Sequence, residues 1–400
     1  MKNAAAFLLL AVAGTSPAFA QETPATGAKA LTQIRAAVLR VDRESLPPIS
    51  RLDLPPADLG FAGARLAIED NDTTGKFMGQ DFEALEVTAT PDTAKAEMDK
   101  ILAEKIPFVV VLADDATTLA LSDQVGDRAL VLNARARGDN LRGKDCRVNT
   151  LHIAPSYAML TDGLAQFLMW KRWPNWFLVT GSHPEDQALG AAYQRAATKF
   201  GAKIVESRVY EDTGGARRTD TGYVQVQKQM PVFTQDAKAY DVMVTADEAG
   251  IFAAYLPYQT WDPRPVTGSA GLVPQSWDAS FEAYGGMQFQ NRFEKLAKRP
   301  MRDEDYQSWL ALRMIGEAAT RTQSADPAAL KAFMLSDKFE IAGFKGQKLT
   351  LRDWDHQLRQ PILLTSGKIV ASVSPQDEYL HQSSQLDTLG IDRPETECKF

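Results

Sequence analysis

The sequence predicts an α/β protein of two lobes in tandem, each a doubly wound parallel sheet with helices on both faces. Three observations predict it. Short apolar, β-branched runs alternate with stretches of helical spacing from residue 36 to residue 133. The alternation restarts after Pro155. The chain has 400 residues, enough for two or three domains at ~100–200 residues each. Alternation of this kind gives parallel strands covered by helices.

The elements follow in order. Residues 36–41 are a first strand, and residues 51–56 a Pro-bearing loop. Leu59, Ala62, Leu66 and Ala67 recur at helical spacing, so residues 57–70 are a helix. Residues 71–79 turn the chain, with Gly75 and Gly79 supplying backbone freedom. Strands are expected at 82–88, 107–112 and 129–133, with helices at 93–104 and 117–125 between them. The second series has a long helix at 155–173 and a strand at 176–180. Ser182 to Glu185 has the S-x-x-E form of a capping box, opening a helix that runs to about residue 200. Strands at 203–210, 241–245 and 266–271 follow, with a helix beginning near Glu248. Helices at 280–298 and 305–322 with no strand between them break the tandem, and 348–351 and 361–373 read as hairpin strands. A chain crossing back between lobes has this order. The resulting boundaries are residues 21–153 plus 279–337 for the N-terminal lobe, 154–278 plus 338–375 for the C-terminal lobe, and a tail at 376–400.

The first twenty residues have the form of a secretory signal. A positive start at Lys2 precedes an apolar run over 4–14, and Ala18 and Ala20 sit where a signal peptidase reads. The run is short of the ~20 residues that cross a bilayer, so an exported, periplasmic protein without membrane insertion is expected. A net charge of −7 without basic runs argues against nucleic-acid partners. Cys146 and Cys398 are expected to pair in an oxidising compartment, two free thiols being the alternative. The pair would be worth on the order of 4–5 kcal/mol in the chain-entropy model.

The run from Gly63 through Asn71, followed by Gly75 and Gly79, resembles the first helix and glycine-rich turn of type I periplasmic binding proteins. Those are the branched-chain amino-acid-binding kind that serve ABC transporters. A second set is Leu141-Arg142, Cys146-Arg147, His152, Lys171 to Trp173, Trp176, residues 260–266 and residues 357–361. It resembles the subfamily linked to dehydrogenase systems that depend on pyrroloquinoline quinone (PQQ). The resemblance implies two lobes joined by hinge crossovers with the ligand in the cleft. It also implies a monomeric periplasmic receptor for PQQ, needing no cofactor of its own. Its partners would be an ABC permease or a quinoprotein dehydrogenase. A receptor for a branched-chain amino acid or small carboxylate, and a sensory or accessory subunit, are the other readings. Where amino-acid binders place Gly and Ser/Thr after the third strand, this chain has Asp114-Asp115. These would repel a carboxylate, or else cap the next helix.

The binding candidates follow from strand ends and ligand chemistry. Arg135, Arg137, Arg142, Lys144 and Arg147 crowd into one segment after the fourth strand. Arginine forks suit carboxylates, and Arg142, beside Gly143, is the first choice, with Arg147 second. His152, Ser182 and Asp247 lie at strand ends or the crossover, while Trp261, Arg264 and Trp277 could supply an aromatic or basic wall. The sequence has no nucleophile-elbow, metalloprotease or phosphate-loop motif, and its four histidines lack metal-ligand spacing. No catalytic residue and no metal ligand are expected.

Overall fold

A computed structural model describes residues 31–42, 48–213 and 225–400. The expected signal segment lies outside them. The first lobe opens with β1 (Thr32–Val41), α1 (Phe61–Met78), β2 (Gln80–Ala89), α2 (Ala94–Ala103), β3 (Phe108–Leu112), α3 (Asp115–Val125), β4 (Leu130–Asn133) and β5 (Thr150–His152). The strands form one parallel sheet in the order β2-β1-β3-β4-β5. Every residue of central β3, Phe-Val-Val-Val-Leu, is buried, as a strand covered on both faces requires. Alternate side chains of β1 feed opposite cores: Ile34, Ala36 and Val38 on one face, Ala37, Leu39 and Val41 on the other.

The second lobe contains α4 (Tyr157–Trp170), β6 (Asn175–Gly181), α5 (Pro184–Phe200), β7 (Lys203–Tyr210), α6 (Val226–Thr234), β8 (Val242–Ala246), α7 (Leu256–Gln259) and β9 (Val266–Gly268). Its parallel sheet runs β7-β6-β8-β9. After β10 (Val273–Gln275) the chain returns through α8 (Gly286–Ala297), α9 (Asp303–Thr322) and α10 (Pro327–Met334). These cover the first sheet, with α9 against α1. Short strands close the order: β11 (Ile341–Ala342), β12 (Lys348–Leu351), β13 (Leu358–Arg359), β14 (Ile362–Thr365) and β15 (Val370–Ser374). The fold is that of two doubly wound lobes joined by crossovers.

Four local expectations are corrected. The first helix does not stop at residue 70. Asn71 Nδ2 donates to the carbonyl of Leu312, 3.0 Å away, so packing on α9 carries the helix on to Met78. It ends there because Gly79 takes a left-handed φ of 72°. The capping box at α5 sits one residue later: His183 is the N-cap and Asp186 supplies the returning carboxylate. Ser182 instead accepts the backbone N–H of Asp212 at 3.1 Å. No helix begins at Glu248, because the Asp247 carboxylate gathers the N–H groups of Ile251, Phe252 and Ala253 into a turn. The helix expected from residue 280 starts at Gly286, after Tyr284 and Gly285 adopt φ values of 52° and 82°.

The lobe boundaries also shift. Ile341, Leu349, Leu351 and Leu358 join the core of the first lobe rather than the second. β14 is shared: Leu363 faces the first core, and Ile362 and Leu364 the second. Strand alternation sends neighbouring side chains to opposite sides, so one strand can serve both lobes. The tail straps across the hinge. Asp387 accepts from Arg352 and Arg359 at 2.9 and 2.8 Å. Gly390 N–H donates to Asp162 at 2.8 Å. A disulfide then joins Cys398 to Cys146, with 5.6 Å between their Cα atoms.

Candidate functional site

A cavity of about 580 Å³ opens between the carboxyl ends of the two sheets, the place where doubly wound sheets bind ligands. Val41 from the end of β1, residues 113–116 after β3 and residues 134–137 after β4 form one wall. Glu185 and Ala188 on α5 and Glu248 after β8 form the other. Asp303, Glu304 and Gln307, on the first turns of α9, close the back with Tyr157 at the start of α4.

Arg137 organises the centre. Its guanidinium donates to Asp303 at 2.9 Å and reaches Glu248 at 3.5 Å. The second contact crosses from one lobe to the other. Burial works against the charge of Arg137, but Glu248 and Asp303 outweigh it and hold the group above the ordinary arginine range. Asp303 is itself fixed: its other oxygen accepts from the N–H groups of Ser276 and Trp277 and from the Ser276 hydroxyl. Glu248 is placed by the loop beneath it. Asp186 accepts from Ala249 N–H at 2.9 Å and from His183 N–H at 3.2 Å. Burial, and the charge of nearby Asp247, push the Asp186 carboxyl up to about 6.

The Asp114-Asp115 pair does two jobs. Asp114 caps α3 by accepting from Thr117 N–H at 2.8 Å. Asp115 accepts from Gly138 N–H at 3.0 Å, and a side chain at Gly138 would collide with that carboxylate. Both remain in the cavity wall. Several polar groups in the lining are unpaired among the described residues. The Arg135 side chain and the Tyr157 hydroxyl make no hydrogen bond among the described residues, and the buried Gln307 Oε1 is unpaired. Burial, then the charge of Glu248, raise the Tyr157 phenol well above its ordinary range.

The eight residues singled out in the sequence lie elsewhere. Arg142 is 3% exposed and fully engaged: it donates to Gln357 Oε1 at 2.8 Å and to the carbonyls of Gly138 and Ala154. It braces the hinge, with burial pushing its pKa down to about 10. Arg147 pairs with Asp123 at 2.5 Å on the outside of the lobe. His152 is buried beside Asn133 at 3.0 Å, and burial, then the nearby Arg142 charge, hold it well below the usual histidine range. Ser182 and Asp247 are occupied as described above. Trp261 and Arg264 are exposed on the second lobe away from the cavity. Trp277 is core, stacked on Tyr306 at 4.8 Å. Of the residues that line the cavity, Tyr157, Glu248, Asp303 and Gln307 carried no expectation of binding, and Arg135 and Arg137 were named only as members of the basic segment. Arg135 and Arg137 had a signal, being the members of the basic segment nearest the strand end. Glu248 adjoins Asp247. Asp303 and Gln307 come from the returning helix, which gives no local signal.

A family model described as periplasmic binding protein matches residues 57–369. The chain belongs to this family. Its members bind solutes, in keeping with the cleft. Among solved structures, this binding protein is similar to a branched-chain amino-acid ABC transporter periplasmic ligand-binding protein from Burkholderia xenovorans, with 18% identity and a TM-score of 0.68 over 86% of this chain and 92% of that one. It is similar to a leucine-, isoleucine-, valine-, threonine- and alanine-binding protein from Brucella ovis in its closed conformation, with 15% identity and a TM-score of 0.67 over 88% and 93%. It also resembles a solute-binding protein from R. palustris in complex with benzoate, with 14% identity and a TM-score of 0.66 over 92% and 100%. No curated protein sequence matches the chain. Among the described residues no group of three or more His, Cys, Asp or Glu is placed to hold a metal ion. No helix among them is long and apolar enough to cross a membrane.

Proposed function

We propose that this binding protein is the periplasmic solute receptor of an ABC importer, and that its solute is a small molecule with an amino group seated at Glu248. The observation that carries this reading is the Arg137–Glu248 contact, 3.5 Å across the cleft. It presents a carboxylate of the second lobe to the cavity wall of the first. An amino group entering there gains charge-assisted bonds to carboxylates. The unpartnered Arg135 offers a fork to a carboxylate on the same solute. Hinge closure would bring both walls onto it.

PQQ fits this lining less well. It carries three carboxylates, and Asp114, Asp115, Glu248, Asp303 and Glu304 would face it. Arg142 and Arg147, the arginines expected to hold it, are engaged outside the cavity. The test is a thermal-shift panel of leucine, arginine, glutamate, benzoate and PQQ, since a ligand of the native state raises the melting temperature. An amino-bearing solute is expected to give the largest shift, and Glu248→Gln to remove it. A largest shift with PQQ or benzoate, unchanged in Glu248→Gln, would contradict the reading.

A further inference from the structure

The charge balance of the cavity wall is lopsided. Asp114, Asp115, Glu248, Asp303 and Glu304 line it, with Glu185 beside them, against two cations, Arg135 and Arg137. Arg137 is already shared between Asp303 and Glu248. Asp114 is met by a backbone N–H group, which orients a carboxylate without cancelling its charge, while Asp115, met likewise, also feels the buried Arg142. Glu304 makes no hydrogen bond or ion pair among the described residues. Arg135, Arg137 and one amino group at Glu248 would still be outnumbered by the carboxylates of the lining, and the cavity is partly shielded from water, so charges there interact more strongly than in bulk.

One buried group points the same way. Gln307 is 2% exposed, and its Oε1 is an acceptor without a donor. Tyr157 is 5% exposed and lines the cavity, and its hydroxyl, which makes no hydrogen bond among the described residues, can meet either a donor or an acceptor on the solute. A buried acceptor left unpaired costs about 1–3 kcal/mol, so a solute that brings N–H donors relieves it. The carboxylates and Gln307 Oε1 are all acceptors. What they lack is donors and positive charge.

We infer that the cleft takes a solute of net positive charge, with a second cationic centre, amine or guanidine, in addition to the amino group at Glu248. A basic amino acid or a diamine has this chemistry. Arg135 distinguishes the two, because a basic amino acid has a carboxylate for it and a diamine does not. The inference rests on the receptor reading above and specifies its ligand.

The test is calorimetric titration of the full chain with L-arginine, putrescine, leucine, glutamate and calcium chloride. Arginine or putrescine is expected to bind at least tenfold more tightly than leucine, with affinity falling as salt is raised. Glu304→Gln is chosen because that side chain holds nothing else in place. It is expected to weaken the basic solute about fivefold or more while leaving any leucine affinity unchanged. Arg135→Ala is expected to weaken arginine and spare putrescine. Leucine binding as tightly as arginine would overturn the second charge and leave the receptor reading standing. A response to calcium with none to either amine would overturn both. So would a folded protein, verified by circular dichroism, that answers to nothing in the series.

Discussion

The two ends of the basic segment 135–147 have similar composition and opposite roles. At the strand-proximal end Arg137 meets carboxylates of both lobes, and Arg135 lines the cavity without a partner. Seven residues beyond Arg135, Arg142 is sealed among Gln357 Oε1 and two carbonyls. Arg147, five further on, lies against Asp123 at the surface. An arginine is available to a ligand when its fork is not already satisfied by the fold. Distance from the strand end decides that here, because the segment turns at Gly138 and runs back toward the hinge.

The largest expected effect is at the sealed end. Arg142→Ala leaves Gln357 Oε1 without a donor, takes one of two donors from each of the Gly138 and Ala154 carbonyls, and removes the buried charge facing Asp115 and Asp139, and should cost about 4 kcal/mol by denaturant unfolding. A loss under about 1 kcal/mol would remove the hinge role. Next is the tail that pins this segment. Cys398→Ser, compared with wild type in the absence of reductant, should lower stability by about 3 kcal/mol. An unchanged unfolding midpoint would show that the strap holds without its disulfide.

The floor of the ligand wall should show in a pH profile. Asp186 has its folded pKa raised to about 6 from 3.8. Between those values the folded state binds the proton and the unfolded state does not. Its stabilising contribution is therefore complete below pH 3.8 and lost as pH rises through about 6, by roughly 3 kcal/mol. Asp186→Asn should flatten that part of the stability profile. A variant with the same slope as wild type would place the titration elsewhere. The smallest effect belongs to Arg147→Ala, an exposed pair worth less than about 1 kcal/mol, with no change in solute binding.

Much of the fold was legible. The buried β-branched runs of β3 and β8 and the strand–helix alternation need no tertiary context to be read. The short elements were not. β5 is three residues long and exists because it extends the sheet beside β4. The end of α1 was misplaced because Asn71 and Gly75, turn residues by composition, are held helical by α9. The site was less legible still. Its segment was found, but a basic residue does not announce whether the fold has already used its charge. Asp303 and Gln307 reach the cavity from a helix more than 160 residues after Arg137, by a crossover that no local pattern records. Aromatic residues misled for a related reason: Trp277 stacks on Tyr306 and meets Phe289 edge to face in the core, where a large ring finds the most contact.

In the proposed receptor the solute sits between the strand-proximal arginines and Glu248, not at the distal ones. Titrating wild type, Glu248→Gln and Arg147→Ala with L-arginine by calorimetry tests it most directly. At least a tenfold loss of affinity is expected in Glu248→Gln, and wild-type affinity in Arg147→Ala. Affinity that survives in Glu248→Gln and falls in Arg147→Ala would contradict it.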